Sequence, residues 1–211
     1  MKLNQRLFVT VTLLLVCLAS CKSKNDANKT FLDFYLGMPH DEYLIIKDSL
    51  IKAHKLQYKS DGHYSYEFTL SEGKKAEAKF SPSFDNGFLT SIDLYFGSFN
   101  STNYVDNSES TSSVQSVLAL YCEKYGSPIK AKEKVQEGFI AGWFNGEFKD
   151  FDVYKWDRGN FKVSFFPGTS VDWSSQSGGI NSYGAKIEYD LKDEKKDDLN
   201  KKKAQDNLKD L

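Results

Sequence analysis

Asp85-Asn86-Gly87-Phe88-Leu89-Thr90-Ser91-Ile92-Asp93-Leu94-Tyr95-Phe96 decides the fold. Asn-Gly is a turn pair, because both residues tolerate the left-handed backbone. After it, Phe88, Thr90, Ile92, Leu94 and Phe96 fall on one side of an extended chain, and Ser91, Asp93 and Tyr95 on the other. Period-two alternation with one apolar face predicts an antiparallel strand packed on a core. Upstream, 75–80 alternates in the same way, with Ala76, Ala78 and Phe80 on one face. Residues 64–70 form another strand candidate, and 82–87 read as a loop.

Helical spacing flanks these strands. Tyr43, Ile46, Leu50 and Ala53 predict a helix over 40–55. Pro39 suits its first turn, and Asp41 and Glu42 favour its positive N-terminus. Downstream of a polar stretch, Val114, Val117, Leu118, Tyr121 and Tyr125 make a second apolar stripe. Ser112 or Ser113 is its expected N-cap, Gly126 its left-handed cap, and Pro128 bars continuation. Strands return at 138–144 and 147–156 across Asn145-Gly146, then at 161–166 and 184–191. The Gly- and Ser-rich 167–183 reads as irregular. The charged tail after Leu191 reads equally as a solvated helix or a frayed end. The order helix-then-strands occurs twice. The expected class is α+β, with helices on one face of an antiparallel sheet in tandem helix-plus-three-or-four-strand repeats.

The start of the chain has another logic. Lys2 and Arg6 precede an apolar run over 7–18, then Ala19, Ser20 and Cys21. About 12 apolar residues suit a secretory signal, not a span of about 20. Leu18-Ala19-Ser20-Cys21 resembles the lipobox of bacterial lipoproteins. That resemblance implies cleavage before Cys21, lipid on its sulfur and amine, and a membrane-held envelope protein. Two or more acyl chains suffice for stable anchoring. By the sorting rules of enteric lipoproteins, which the resemblance brings with it, Lys22 after the cysteine implies the outer membrane over the inner. The expected organisation is signal 1–20, lipidated tether 21–30, first repeat 31–97, linker 98–112, second repeat 113–191 and tail 192–211. The opening Leu36-Gly37-Met38-Pro39-His40-Asp41-Glu42-Tyr43 resembles repeats of the β-lactamase-inhibitor-protein-like and BamE-like lipoproteins. This implies helices on one sheet face and a role in protein–protein binding. Pro39 departs from the Ser or Thr usual there, and the second half lacks the Gly-Met turn.

The formal net charge is −1, which calls for no nucleic-acid partner. With Cys21 lipidated, Cys122 has no disulfide partner after cleavage and reads as a small core residue. Three scattered histidines give no metal spacing, and no cofactor or nucleophile motif is present. Glu67, Glu77, Asp93, Asp152 and Asp157 lie in or beside strands; their ordinary place is the solvent face of a sheet. The aromatics of the 147–156 region are the expected recognition surface. Trp143 should oppose Phe148, Phe151 and Val153 should face the core, and Tyr154 and Trp156 should line a partly exposed binding face. The leading reading is a non-enzymatic module for an envelope protein or ligand. Its rivals are a hydrolase using strand carboxylates and an anchored hydrolase inhibitor.

Overall fold

A computed structural model describes residues 29–60, 62–70, 73–97, 107–136, 148–172 and 180–209. A short hairpin, β1 (Lys29–Phe31) and β2 (Phe34–Tyr35), leads into helix α1 (His40–Lys52). Four strands follow: β3 (Gln57–Tyr58), β4 (Tyr64–Thr69), β5 (Lys75–Asp85) and β6 (Phe88–Gly97). Helix α2 (Asn107–Tyr125) precedes β7 (Ile129–Gln136), β8 (Phe148–Asp157), β9 (Phe161–Asp172) and β10 (Ile180–Leu191). Helix α3 (Asp193–Lys209) ends the described chain. The last eight strands form one sheet in the order β3-β4-β5-β6-β10-β9-β8-β7. Each neighbouring pair is antiparallel.

One face of this sheet is the core. Phe80 lies opposite Leu94, Leu94 opposite Ile187, and Ile187 opposite Phe165, an apolar row crossing four strands. All four are at most 2% exposed. The hairpin and helices pack on this face. Phe31 meets Tyr66, Phe80 and Tyr189, and Phe34 stacks on Phe80 and Tyr43. From α2, Val114, Val117 and Tyr121 are buried, the stripe expected from the sequence. The Tyr121 and Tyr189 hydroxyls meet at 2.5 Å in the interior. From α3, Leu199 packs against the same core.

Several boundaries differ from the sequence reading. Helix α2 starts at Asn107, before Ser112, and Ser116 Oγ donates to the Ser112 carbonyl one turn back. A polar first turn leaves no apolar stripe to read. Pro39 is the N-cap of α1, not within its first turn, and Ala53 is its exposed C-cap. Strand β5 continues through Pro82 to Asp85, where a loop was expected. The β4 pairing stops at Phe80, so Pro82 sits where β5 has only β6 beside it. A missing N–H is tolerated at such an edge. Likewise β9 runs through Pro167, beyond the last β8 pair at Phe165. Strand β8 lies between β7 and β9, with Phe148 opposite Gln136 of β7; the expected pairing of Trp143 with Phe148 falls outside the described residues. Residues 138–144, including Trp143, lie outside the described residues. The tail is helical to Lys209.

Candidate functional site

The expected exposure of Trp156 is overturned, while the side chain of Phe151 lies outside the described residues. Trp156 is 4% exposed and belongs to the core cluster. Its ring lies beside Tyr121 and Tyr125, and its Nε1–H donates to the Gly126 carbonyl at 2.8 Å. Tyr154 is half-buried, edge-on to Phe165, with the Lys130 ammonium over its ring. The helices therefore cover the Tyr154 and Trp156 side of β8. Val153 is buried, as expected, but on the opposite face and outside the core cluster. The periodicity of β8 could not decide this, because both of its sides carry apolar residues. Cys21 lies outside the described residues, as does Trp143. Cys122 is half-buried against the core.

The face away from the helices carries the charges. Along β4 and β5, Glu67 lies directly opposite Glu77. Like charges at facing positions repel, and each has its own lysine: Glu67 with Lys75 at 2.7 Å, Glu77 with Lys59 at 2.8 Å. The hydrogen bond from Lys59 holds the Glu77 carboxyl below its ordinary value. Where β6 meets β10, Asp93 lies opposite Glu188, a second like-charge pair. Lys186, next but one along β10, serves both carboxylates at 3.1 Å. Its side chain is only 4% exposed and lies over the rings of Tyr95 and Phe166. The Tyr95 hydroxyl donates to Asp93 Oδ2 at 3.0 Å. Asp93 Oδ1 is buried without a hydrogen-bond partner among the described residues. Burial pushes the Asp93 carboxyl above its ordinary value, against the pull of Lys186. Burial also raises the Tyr95 phenol, with Asp93 adding to it.

Exposure on this face falls from β4 toward β8 and rises again at β7, where Ile129 is exposed. Glu67 and Glu77 are about half-exposed, Glu188 less so, and Asp93 and Lys186 are nearly closed in. Beyond them Val153 and Phe166 are buried. The five carboxylates singled out from the sequence are all lysine-bound, with Asp152 on Lys130 at 2.9 Å and Asp157 on Lys192 at 2.7 Å. Lys186, Glu188 and Tyr95 were not singled out. Their alternation against Ile187, Tyr189 and Leu94 was legible, but the pairing of β6 with β10 was not.

Each of two cavities carries a single carboxylate, Glu67 in one of about 410 Å³ and Asp198 in one of about 310 Å³. Among the described residues no cluster of His, Cys, Asp and Glu is arranged to hold a metal. No described helix is long and apolar enough to cross a membrane. Comparison with known protein families, curated proteins and solved structures finds no match.

Proposed function

We propose that this chain is a lipid-anchored envelope protein, held through Cys21 to the outer membrane, that binds another protein with the helix-free face of its sheet. The observation carrying the reading is the one-sided packing: the helices and the first hairpin cover the apolar face. The opposite face keeps its charges, from Glu67 and Glu77 to Asp93 and Glu188. Binding accords better with this face than hydrolysis, because each carboxylate is engaged by a lysine. A hydrolytic pair needs one group free to take or give a proton.

A tandem origin accords with the element order. Helix α1 precedes the meander β3–β6 and helix α2 the meander β7–β10. The two meanders meet through their last strands, β6 and β10, running antiparallel. Two copies of one unit related by a two-fold axis would meet in this way.

The test uses the full chain in its native membrane, with a photo-crosslinking residue at Glu67 or Lys79 and, as a control, at Asp48 on the exposed side of α1. Adducts to a discrete protein from the two sheet positions and none from Asp48 are expected. Equal adducts from all three, or none, would sink the binding reading. Replacing Cys21 with Ala should separately abolish lipid labelling; unchanged labelling would overturn the anchor.

A further inference from the structure

Helix α3 turns an unusual side to the protein. Residues Lys195, Asp198, Leu199 and Lys202 follow the spacing of one helical face, at i, i+3, i+4 and i+7. A helix docked on a core ordinarily fills these positions with apolar side chains. Here three of the four are charged, and Leu199 alone reaches the core cluster. The helix is held instead by polar contacts elsewhere. Lys196 bonds both oxygens of Asp190, at 3.0 and 3.3 Å. Asn86 donates to Asn200 at 2.8 Å, and Lys203 donates to the Asn86 carbonyl.

The floor beneath that side is apolar, made by Leu36, Phe161 and Leu191, which are 7%, 4% and 4% exposed. Charged side chains over an apolar floor leave a groove of about 310 Å³. At about 30 Å³ for a small molecule the size of water, that is room for on the order of ten heavy atoms. The rim has an unequal charge. Lys195 stands 3.6 Å from Asp198, while Lys202 has no ion-pair partner among the described residues. Two ammonium groups therefore answer to one carboxylate.

We propose that this groove binds a single-chain amphiphile with a carboxylate head, its chain on Leu36, Phe161 and Leu191 and its head between Lys195 and Lys202. The ligand class follows from the two halves of the wall. An apolar floor selects a hydrocarbon of about the groove's length, and the surplus ammonium selects an anion. The site is separate from the charged sheet face and stands or falls without it.

The probe is octanoate. The full chain in lipid nanodiscs is dialysed against labelled octanoate, with empty nanodiscs subtracted and octylammonium as the charge-reversed control. One saturable equivalent per chain is expected, with no saturable uptake of octylammonium. Lys195→Gln with Lys202→Gln should weaken octanoate binding about tenfold or more, as loss of charged hydrogen bonds does. These side chains lie on an exposed rim, so the fold should survive their change. Leu199→Trp, which fills the groove, should abolish the uptake. Absence of saturable octanoate uptake, equal uptake of octylammonium, or unchanged binding by the double variant would each overturn the site.

Discussion

The indole of Trp156 packs beside Tyr121 and Tyr125, and its N–H is bonded to the Gly126 carbonyl. Trp156→Ala should therefore lower unfolding free energy by about 3–5 kcal/mol, read from urea titration. Trp156→Phe should retain most of the packing and lose about 1 kcal/mol for the bond to Gly126. Lys186 presents a different problem. It neutralises two facing carboxylates, and Lys186→Met leaves Asp93 and Glu188 opposed without it. A cost of about 3 kcal/mol at pH 7 is expected for breaking a buried pair. The loss should depend on pH with a defined sign. Burial already raises the Asp93 carboxyl from 3.8, so the folded state holds that proton more tightly than the unfolded chain. Such an acid costs stability as pH rises from the unfolded value through the folded one. Removing Lys186 raises the folded value further. The deficit should thus shrink as the urea titration is repeated toward pH 4; a deficit that grew on acidification would contradict the assignment.

Helix α2 ends on Gly126, whose φ is +84° and whose N–H bonds the Cys122 carbonyl at 2.8 Å. A Cβ there would meet nothing within 4 Å, so a substitution feels only the backbone. Gly126→Ala should cost about 1–2 kcal/mol in urea titration while leaving the packing of Tyr121 unchanged. A loss near zero would mean that the helix end can relax. This cap was legible because glycine and Pro128 punctuate an apolar stripe. So was the Asn86-Gly87 turn, where Asn86 has φ +51° and Gly87 +85°. Other elements left weaker traces. Strand β7 reads Ile-Lys-Ala-Lys-Glu-Lys-Val-Gln, where Ile129, Ala131 and Val135 make only a thin apolar row that Glu133 interrupts. The prolines of β5 and β9 suggested loops, because tolerance of Pro82 and Pro167 depends on where a neighbouring strand stops. For β8 the sequence showed two apolar sides, and only the placement of the helices selects between them. The charged cluster depends on residues 93 and 188, whose facing positions no local pattern encodes.

The two meanders share one interior. Phe31, before α1, packs on Tyr189 of β10; Phe68 packs on Tyr121 of α2; Phe96 packs on Phe165 of β9. Aromatic contacts between halves bury surface that neither half can bury alone. The described fold should therefore unfold in one transition, with fluorescence and far-ultraviolet circular dichroism giving coincident curves. A polypeptide of residues 29–97 alone should show no cooperative transition, since β6 would lose β10 and Phe31 its cover. Two separated transitions in the intact chain would show instead that each meander carries its own stability.

Among the described residues the sheet ends at β3, only two residues long, and at β7, eight residues long. An outer strand of that length offers unpaired amides and carbonyls to any strand laid beside it. On β7, Lys130, Lys132 and Lys134 are all exposed and alternate along one side. Lys130 is met by Asp152, and the others extend the row of positive charge. If one copy were to lie along another through this border, ammonium would face ammonium at successive rungs. For a protein anchored as proposed, crowded into two dimensions, lateral zippering into filaments would be a hazard. The lysine fringe makes the molecule a poor neighbour to itself. Lys132→Thr with Lys134→Thr should accordingly raise the sedimentation coefficient as concentration increases, while the parent chain keeps a constant value.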